Sequence, residues 1–367
     1  MPRVRPLSGT PATVVTMLTV AAMTLTVAAC SGPAHTGSVD PSPVAGPASA
    51  HLSAESPAPS RSGSPSASPS SRPSTKPASS GSCAILPADN VWHADVSRLP
   101  VHSKSSAYVA SIGKSANVHA DFGSGTWDGA PIGIPITTVG AGQAKVSVTF
   151  TYKSESDRGG YPIPTNAAIE GGRSSDGDRH IIVIDTAACR DYELYAAYPK
   201  GSGWTAGSGA IYDLNGNGLR PAGWTSADAA GLPILPGLVT YKEVASGHID
   251  HAIRVTVPRS QAKYLWPARH FASESNDTSL PPMGLRLRLK ASFDVSHLPS
   301  QARVIATAMK KYGVIVADNG SPWYISGAPD AHWNNDQLHA LDKIVGSDFE
   351  AIDESGLQRS SNSGQVK

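Results

Sequence analysis

The sequence predicts a mostly β fold, a single β-sandwich or jelly-roll-like domain with two or three helices at its edge. Three observations predict it. Short runs in which apolar and polar residues alternate recur from residue 131 to residue 326, as half-buried strands do. Gly and Pro, 35 and 30 in the whole chain, punctuate these runs with turns. Only 107–112, 301–312 and 335–344 keep apolar residues three and four apart, as a helix requires.

The chain opens on an export signal over residues 1–30. Arg3 and Arg5 precede a run of Ala, Val, Leu, Met and Thr that ends at Val27-Ala28-Ala29-Cys30. Small residues before a cysteine resemble a bacterial lipobox, which makes Cys30 the lipidated N-terminus. An ordinary cleavage near Ala29 and an uncleaved anchor are the alternatives. Residues 31–82 are Ser, Pro, Ala and Gly with few large apolar side chains, too few to offset chain entropy. They read as a disordered tether. The expected globular domain spans 83–357, followed by a disordered tail at 358–367. The expected location is outside the cell, either lipid-anchored to the outer face of the membrane through Cys30 or secreted.

Within the domain, 131–139 (PIGIPITTV) and 145–152 (KVSVTFTY) read as strands, the second with Val146, Val148 and Phe150 alternating with Ser147, Thr149 and Thr151. GDRHIIVID and DYELYAAY follow as hairpin neighbours, then LVTYKEV, HAIRVTV, KYLW and GLRLRLKASF. In the last, Leu285, Leu287 and Leu289 alternate with Arg286, Arg288 and Lys290, whose basic side reads as a solvated face. The helix over 301–312 carries Val304, Ile305, Ala308 and Met309 on one side and stops at Gly313.

A formal charge of +1 leaves no basic field of the kind nucleic acids need, and a monomer is expected. No Walker loop, dinucleotide glycine pattern or CxxC pair occurs, so no cofactor is expected. Of the three cysteines Cys30 takes the lipid, which leaves Cys83 and Cys189 as an even pair in an oxidising compartment. A disulfide between them would pin the first ordered residue to the fold; two buried thiols are the alternative.

The chemistry is sought among histidines. By parity His251 shares a strand face with Ile253, Val255 and Val257, and His180 shares one with Ile182 and Ile184. In adjacent strands both would line one interior cleft, with Asp250 and Asp178 orienting the imidazoles and Arg254, Arg269 or His270 nearby. The competing reading is two core-edge histidines bonded to backbone. Zinc is disfavoured because a strand sends His248 and His251 to opposite faces and HExxH is absent. Asp213, Asn215 and Asn217 match the start of a calcium loop, but Trp224 stands where the bidentate Glu belongs, so a plain Asn-Gly turn competes. Glu170, Glu193, Asp213, Glu243 and Asp318 are enough for a glycosidase pair without showing which face one another. Seven tryptophans sit mostly in polar loops, where flat rings either stack on sugars or plug a core.

The segments DNVWHADVSRLPVHSKSSAYVASIG, GWTSADAAGLPILPGL, GHIDHAIRVTV, WPARH and YGVIVADNGSPWYISGAPDAHWN resemble a family of uncharacterised secreted proteins of actinobacteria and other bacteria. The resemblance covers the whole folded region. Members of that family are found joined to extracellular and carbohydrate-binding modules, which implies polysaccharide as the partner; no catalytic residues carry over. The expectation is therefore a surface-anchored protein that acts on or recognises polysaccharide, as a glycoside hydrolase or lyase. The alternative is a non-catalytic glycan-binding or structural envelope lipoprotein, and the sequence leaves open whether the protein is an enzyme.

Overall fold

A computed structural model describes residues 83–367. The export signal, Cys30 and the tether lie outside the described residues. No described helix is long and apolar enough to cross a membrane. The described chain is mostly strands in several sheets, with four α-helices and no barrel.

A six-stranded sheet forms the largest layer. Its strands run in the order His119–Asp121, Tyr324–Ser326, Ile253–Val257, Val314–Asn319, Arg286–Leu289 and Phe349–Ala351. Two of its pairings are parallel, so this sheet is mixed rather than the antiparallel meander of a jelly roll. The helix Ser300–Lys311 buries Ala302, Ile305, Ala306 and Met309 in the same core as Leu287.

A four-stranded sheet is built on the expected hairpin Ile181–Asp185 and Arg190–Tyr195, with Ser208–Asp213 and Ile136–Val139 on either side. It is shared between two cores. Ile182 packs in the main core, whereas Ile181, Val183, Tyr192 and Leu194 pack in a second core against Val146, Val148, Phe150 and Trp204. The period-two alternation of HIIVID is thus apolar on both faces because both faces are covered. Cys83 and Cys189 are disulfide-bonded with Cα atoms 5.4 Å apart, tying the first described residue to this hairpin's turn.

Four expectations give way. LVTYKEV is not a strand: Thr240 and Glu243 form a reciprocal capping box that starts a helix at Tyr241–Ser246. Local capping outweighs the β-branched residues there. KYLW contributes only an isolated bridge between Tyr264 and Met283. The basic side of GLRLRLKASF is not solvated. Arg286 is buried, bonding the Val91 carbonyl and pairing with Glu354, while Arg288 pairs with Glu350 and reaches the carbonyls of Val96 and Leu99. The tail 358–367 is a hairpin of Gln358–Ser360 and Ser363–Val366, held by bonds from Arg269 and Trp266.

Candidate active site and its charged wall

Residues opposite each other in a sheet share a face. Asp121 pairs with Ser326, and the Val255–Ile325 pairing sets Arg254 beside Ser326. One face of the six-stranded sheet therefore carries the row Asp121, Ser326, Arg254. The Arg254 guanidinium donates Nη1–H to Ser326 Oγ at 2.6 Å and forks onto Asp228 through Nε at 3.0 Å and Nη2 at 2.8 Å. Burial works against this cation, but Asp228 and Asp318 outweigh it and hold its proton more tightly than usual. Segment Leu235–Gly237 crosses directly over it. A side chain at Gly237 would bring a Cβ to 2.9 Å from the Arg254 Cβ, so glycine is required for this approach.

A bulge then decides where Asp318 points. The register between Ile253–Val257 and Val314–Asn319 slips after Val255, so that Thr256 faces Asp318 instead of Ala317. Without that extra residue the Asp318 side chain would leave on the opposite face. With it, Asp318 Oδ2 lies 3.9 Å from Arg254 Nη2, and burial with the neighbouring Asp228 charge pushes its carboxyl up to about 7.

Glu170 and His180 form a second ion pair beside this wall, with the imidazole buried and the carboxylate half-buried. The two residues clamp each other: the Glu170 N–H donates to the His180 carbonyl, and the His180 N–H to Glu170 Oε2. His180 Nδ1 lies 2.6 Å from Glu170 Oε2, and Nε2 lies 3.0 Å from the Ala227 carbonyl. With an acceptor at each nitrogen, the ring is suited to carrying both protons. Burial disfavours the imidazolium, yet the Glu170 charge prevails and raises its pKa to about 9. Burial alone would raise the Glu170 carboxyl; the His180 charge and hydrogen bonds reverse this and hold it below its ordinary range.

Glu170 borders a cavity of about 600 Å³ whose other walls include His119, Asp121, Trp127, Tyr324 and His339. His119 and Asp121 lie on one strand at alternate positions, and the His119 ring packs 4.3 Å from that of Tyr324. Asp121 keeps an exposed side chain, and the partial desolvation of its carboxyl, opposed by His119 and Arg254 and assisted by Glu170, raises it above its usual range. Trp127 is 79 % exposed. It stands on a two-residue hairpin strand paired with Ala130–Pro131, between Gly125 at φ +81°, Asp128 at φ +48° and Gly129 at φ +80°. The left-handed residues turn the chain tightly enough to hold an apolar ring out in solvent.

A cleft of about 400 Å³ borders the charged wall at Asp228 and Asp318. Asp178 and His270 line it, together with Glu155, Asp228 and Asp318. The structure thus gathers four of the six residues expected from sequence around one wall: Asp178 and His270 in this cleft, and Arg254 and His180 behind it through Asp228 and Ala227.

His251 and Asp250 are elsewhere. His251 bonds the Ala252 carbonyl and Glu243 Oε1, at 2.8 and 3.0 Å, and borders a different cavity beside the Tyr241–Ser246 helix. His180 and His251 therefore do not share a pocket. The expected orienting pairs are also exchanged: Glu243 rather than Asp250 holds His251, and Glu170 rather than Asp178 holds His180. Asp250 stays exposed, 3.4 Å from His248 and from the Tyr312 hydroxyl. Both histidines lie just before their strands, Ile181–Asp185 and Ile253–Val257, and those strands belong to different sheets. Arg269 bonds the carbonyls of Arg220 and Ser361 and supports the C-terminal hairpin. In the turn at 213–218, Asp213 accepts from the Asn215 N–H, and Asn217 is engaged by Asn90 and Asp89.

Of the residues bordering this cavity, Trp127 is one of the seven loop tryptophans considered for sugar stacking, whereas His119, Asp121 and His339 were not singled out from sequence. The signal available was the run HADFGSG, where a histidine and an aspartate two apart precede glycines and a tryptophan. Comparison with family models, with curated proteins and with solved structures finds no match.

Proposed function

We propose that the protein is a glycoside hydrolase of the cell exterior and that the Trp127 cavity is its active site. One observation carries this reading: two carboxyl groups on a single cavity have environments that push them in opposite directions, Asp121 up and Glu170 down. That division of labour is what acid and base roles in glycoside cleavage require. Asp121, as the acid, gives a proton to the glycosidic oxygen as the bond from that oxygen to the anomeric carbon breaks. Glu170 accepts a proton from the water that forms the new bond to that carbon. His180 acts through Glu170, as a positioning residue that keeps the carboxylate ionised and aimed. Trp127 offers a flat apolar face to the ring of a bound sugar.

Hydrolysis is favoured over lysis of an acidic polymer. A lyase must neutralise a uronate carboxylate, whereas neither Lys nor Arg is among the described residues bordering this cavity. The two cores on either side of the four-stranded sheet are consistent with a sandwich-like scaffold, and the signal at 1–30 with Cys30 supports display on the outer face of the cell membrane. The competing reading, a glycan-binding module without catalysis, is favoured by the exposure of Trp127 alone.

The test is a panel of plant, fungal and bacterial polysaccharides with reducing ends and unsaturated products as readouts. New reducing ends are expected, lost by at least a hundredfold in Asp121→Asn and Glu170→Gln with the far-ultraviolet spectrum unchanged. Trp127→Ala should raise KM more than it lowers kcat. Polysaccharide binding without products, equal in the wild type and Asp121→Asn, would instead establish a binding module.

A further inference from the structure

The loop that follows Glu170 has nothing apolar to hold it. Residues 171–178 read GGRSSDGD and are exposed or half-buried, so no side chain of the loop itself enters a core. Yet Glu170, at its start, must meet His180 Nδ1 and border the Trp127 cavity at once.

Arg179 supplies the missing anchor. It is only 1 % exposed, and its guanidinium folds back into the loop. Nη1 donates to the carbonyls of Gly172, Arg173 and Ser175, at 3.3, 2.9 and 2.8 Å. Nε donates to the carbonyl of Ala197 at 3.0 Å, and Ala197 belongs to the second core. The Tyr198 ring lies over the guanidinium, its centroid 4.2 Å from the central carbon. A side chain with several donors and no acceptor is what such a set of carbonyls requires.

The backbone marks the same residue independently. Arg179 has φ +52°, in the left-handed region that side chains disfavour. Ala196, across from it, has φ +50°. The chain stays joined over this kink by bonds from the Ala196 N–H to the Asp178 carbonyl and from the Ala197 N–H to the Arg179 carbonyl. A glycine would take the conformation at less cost but would leave the three loop carbonyls without their donor. The next residue is His180, whose N–H and ring both reach Glu170 Oε2.

We propose that Arg179 is the positioning residue of the Glu170–His180 pair, holding the loop so that the carboxylate stays against the imidazole and at the edge of the Trp127 cavity. It acts through Glu170, since Arg179 is not among the described residues bordering that cavity. The grip on the pair stands on this geometry; its consequence for turnover rests on the glycosidase reading. The charges that act on His180 are Glu170, Arg254 and Asp178, and of these Glu170 alone bonds the ring.

The experiment follows the His180 ring by nuclear magnetic resonance in the wild type, Arg179→Gly and Arg179→Lys, with melting temperatures measured alongside. In the wild type the imidazole should keep its proton up to about pH 9. In folded Arg179→Gly it should lose the proton at least about one pH unit lower, because the carboxylate is no longer held beside it. Arg179→Lys keeps three donors on one nitrogen and should restore part of that difference; it carries the test if Arg179→Gly does not fold. In Glu170→Gln the midpoint also falls, and adding Arg179→Gly should move it no further. A titration unchanged in the folded Arg179 variants would overturn the proposal, whatever their melting temperatures. So would a second drop of the same size in the Glu170→Gln background. Turnover is the other readout: kcat should fall at least tenfold in Arg179→Gly with KM within twofold, and recover in part in Arg179→Lys. An active wild type whose kcat is unchanged in Arg179→Gly would overturn the proposal too. A wild type that cleaves no polysaccharide would remove the glycosidase reading, and the titrations would still decide the role of Arg179.

Discussion

Removing the disulfide should destabilise the domain through its unfolded state. Cys83 and Cys189 are 106 residues apart, and the bond closes that loop in the denatured chain. In the loop-entropy model a closure of this length restricts the unfolded ensemble by about 4.7 kcal/mol. The described residues run from 83 to 367, and unfolding a domain of that size releases roughly 0.6 kcal/mol/K at its midpoint, taking about 2.1 cal/mol/K per residue. The double variant Cys83→Ala/Cys189→Ala should therefore melt about 8 °C lower. Its folded state should change little, because Leu86, Val91 and Trp92 still anchor the segment after Cys83 in the main core. Calorimetric scans of the wild type, the variant and the reduced wild type give the three melting points, and urea titrations give the slopes. The variant and the reduced wild type should coincide, with a larger urea dependence than the oxidised protein because the uncrosslinked denatured chain exposes more surface. A drop below about 2 °C, or two alkylatable thiols in the unfolded, unreduced wild type, would refute the reasoning.

Two further predictions concern buried charge. Burial, only partly offset by Arg286, pushes Glu354 up to about 7, so the folded state holds its proton where the unfolded chain has released it. Its contribution is lost as pH rises from about 4.5 through 7, costing ~3 kcal/mol. Glu193, also pushed up to about 7 by burial, acts in the same direction, and His180, raised to about 9, loses its stabilising proton on the way to that pH. Urea midpoints should thus be highest near pH 5 and fall towards pH 9, with a shallower fall in Glu354→Gln; a midpoint that rises with pH would contradict the assignment. Asp228→Ala should cost 3–5 kcal/mol by leaving the Arg254 guanidinium buried and unpaired, whereas Asp228→Leu/Arg254→Met should recover most of that loss in the same titration. Equal losses in both variants would show that the pair contributes net stability.

Much of the fold was legible as local pattern. The HIIVID and DYELYAAY hairpin, the alternation of KVSVTFTY and the periodicity of QARVIATAMKKY each produced the element expected. The exception at 238–244 is instructive, because Thr240 and Glu243 are a capping box visible in the sequence that the β-branched residues obscured. The arginines of RLRLK were misplaced for a different reason. Alternation separates two faces, but it does not say that the polar face will be covered, here by the chain around Val91 and Val96 and by Glu350 and Glu354.

By itself, the sequence determined which residues could pair and which faces they would share, since strand parity and cysteine number are properties of short stretches and of counts. The disulfide, the row of Arg254 and the candidacy of His180, Asp178 and His270 all rest on that. Tertiary structure alone decided which rows meet. His251 and His180 have the same local pattern yet precede strands of different sheets, and Asp121 and Glu170 share a cavity although 49 positions separate them. The one-residue bulge beside Val255 turns Asp318 towards Arg254. Strand order and register of this kind depend on contacts between distant segments, whose energies are not written in any window of the chain.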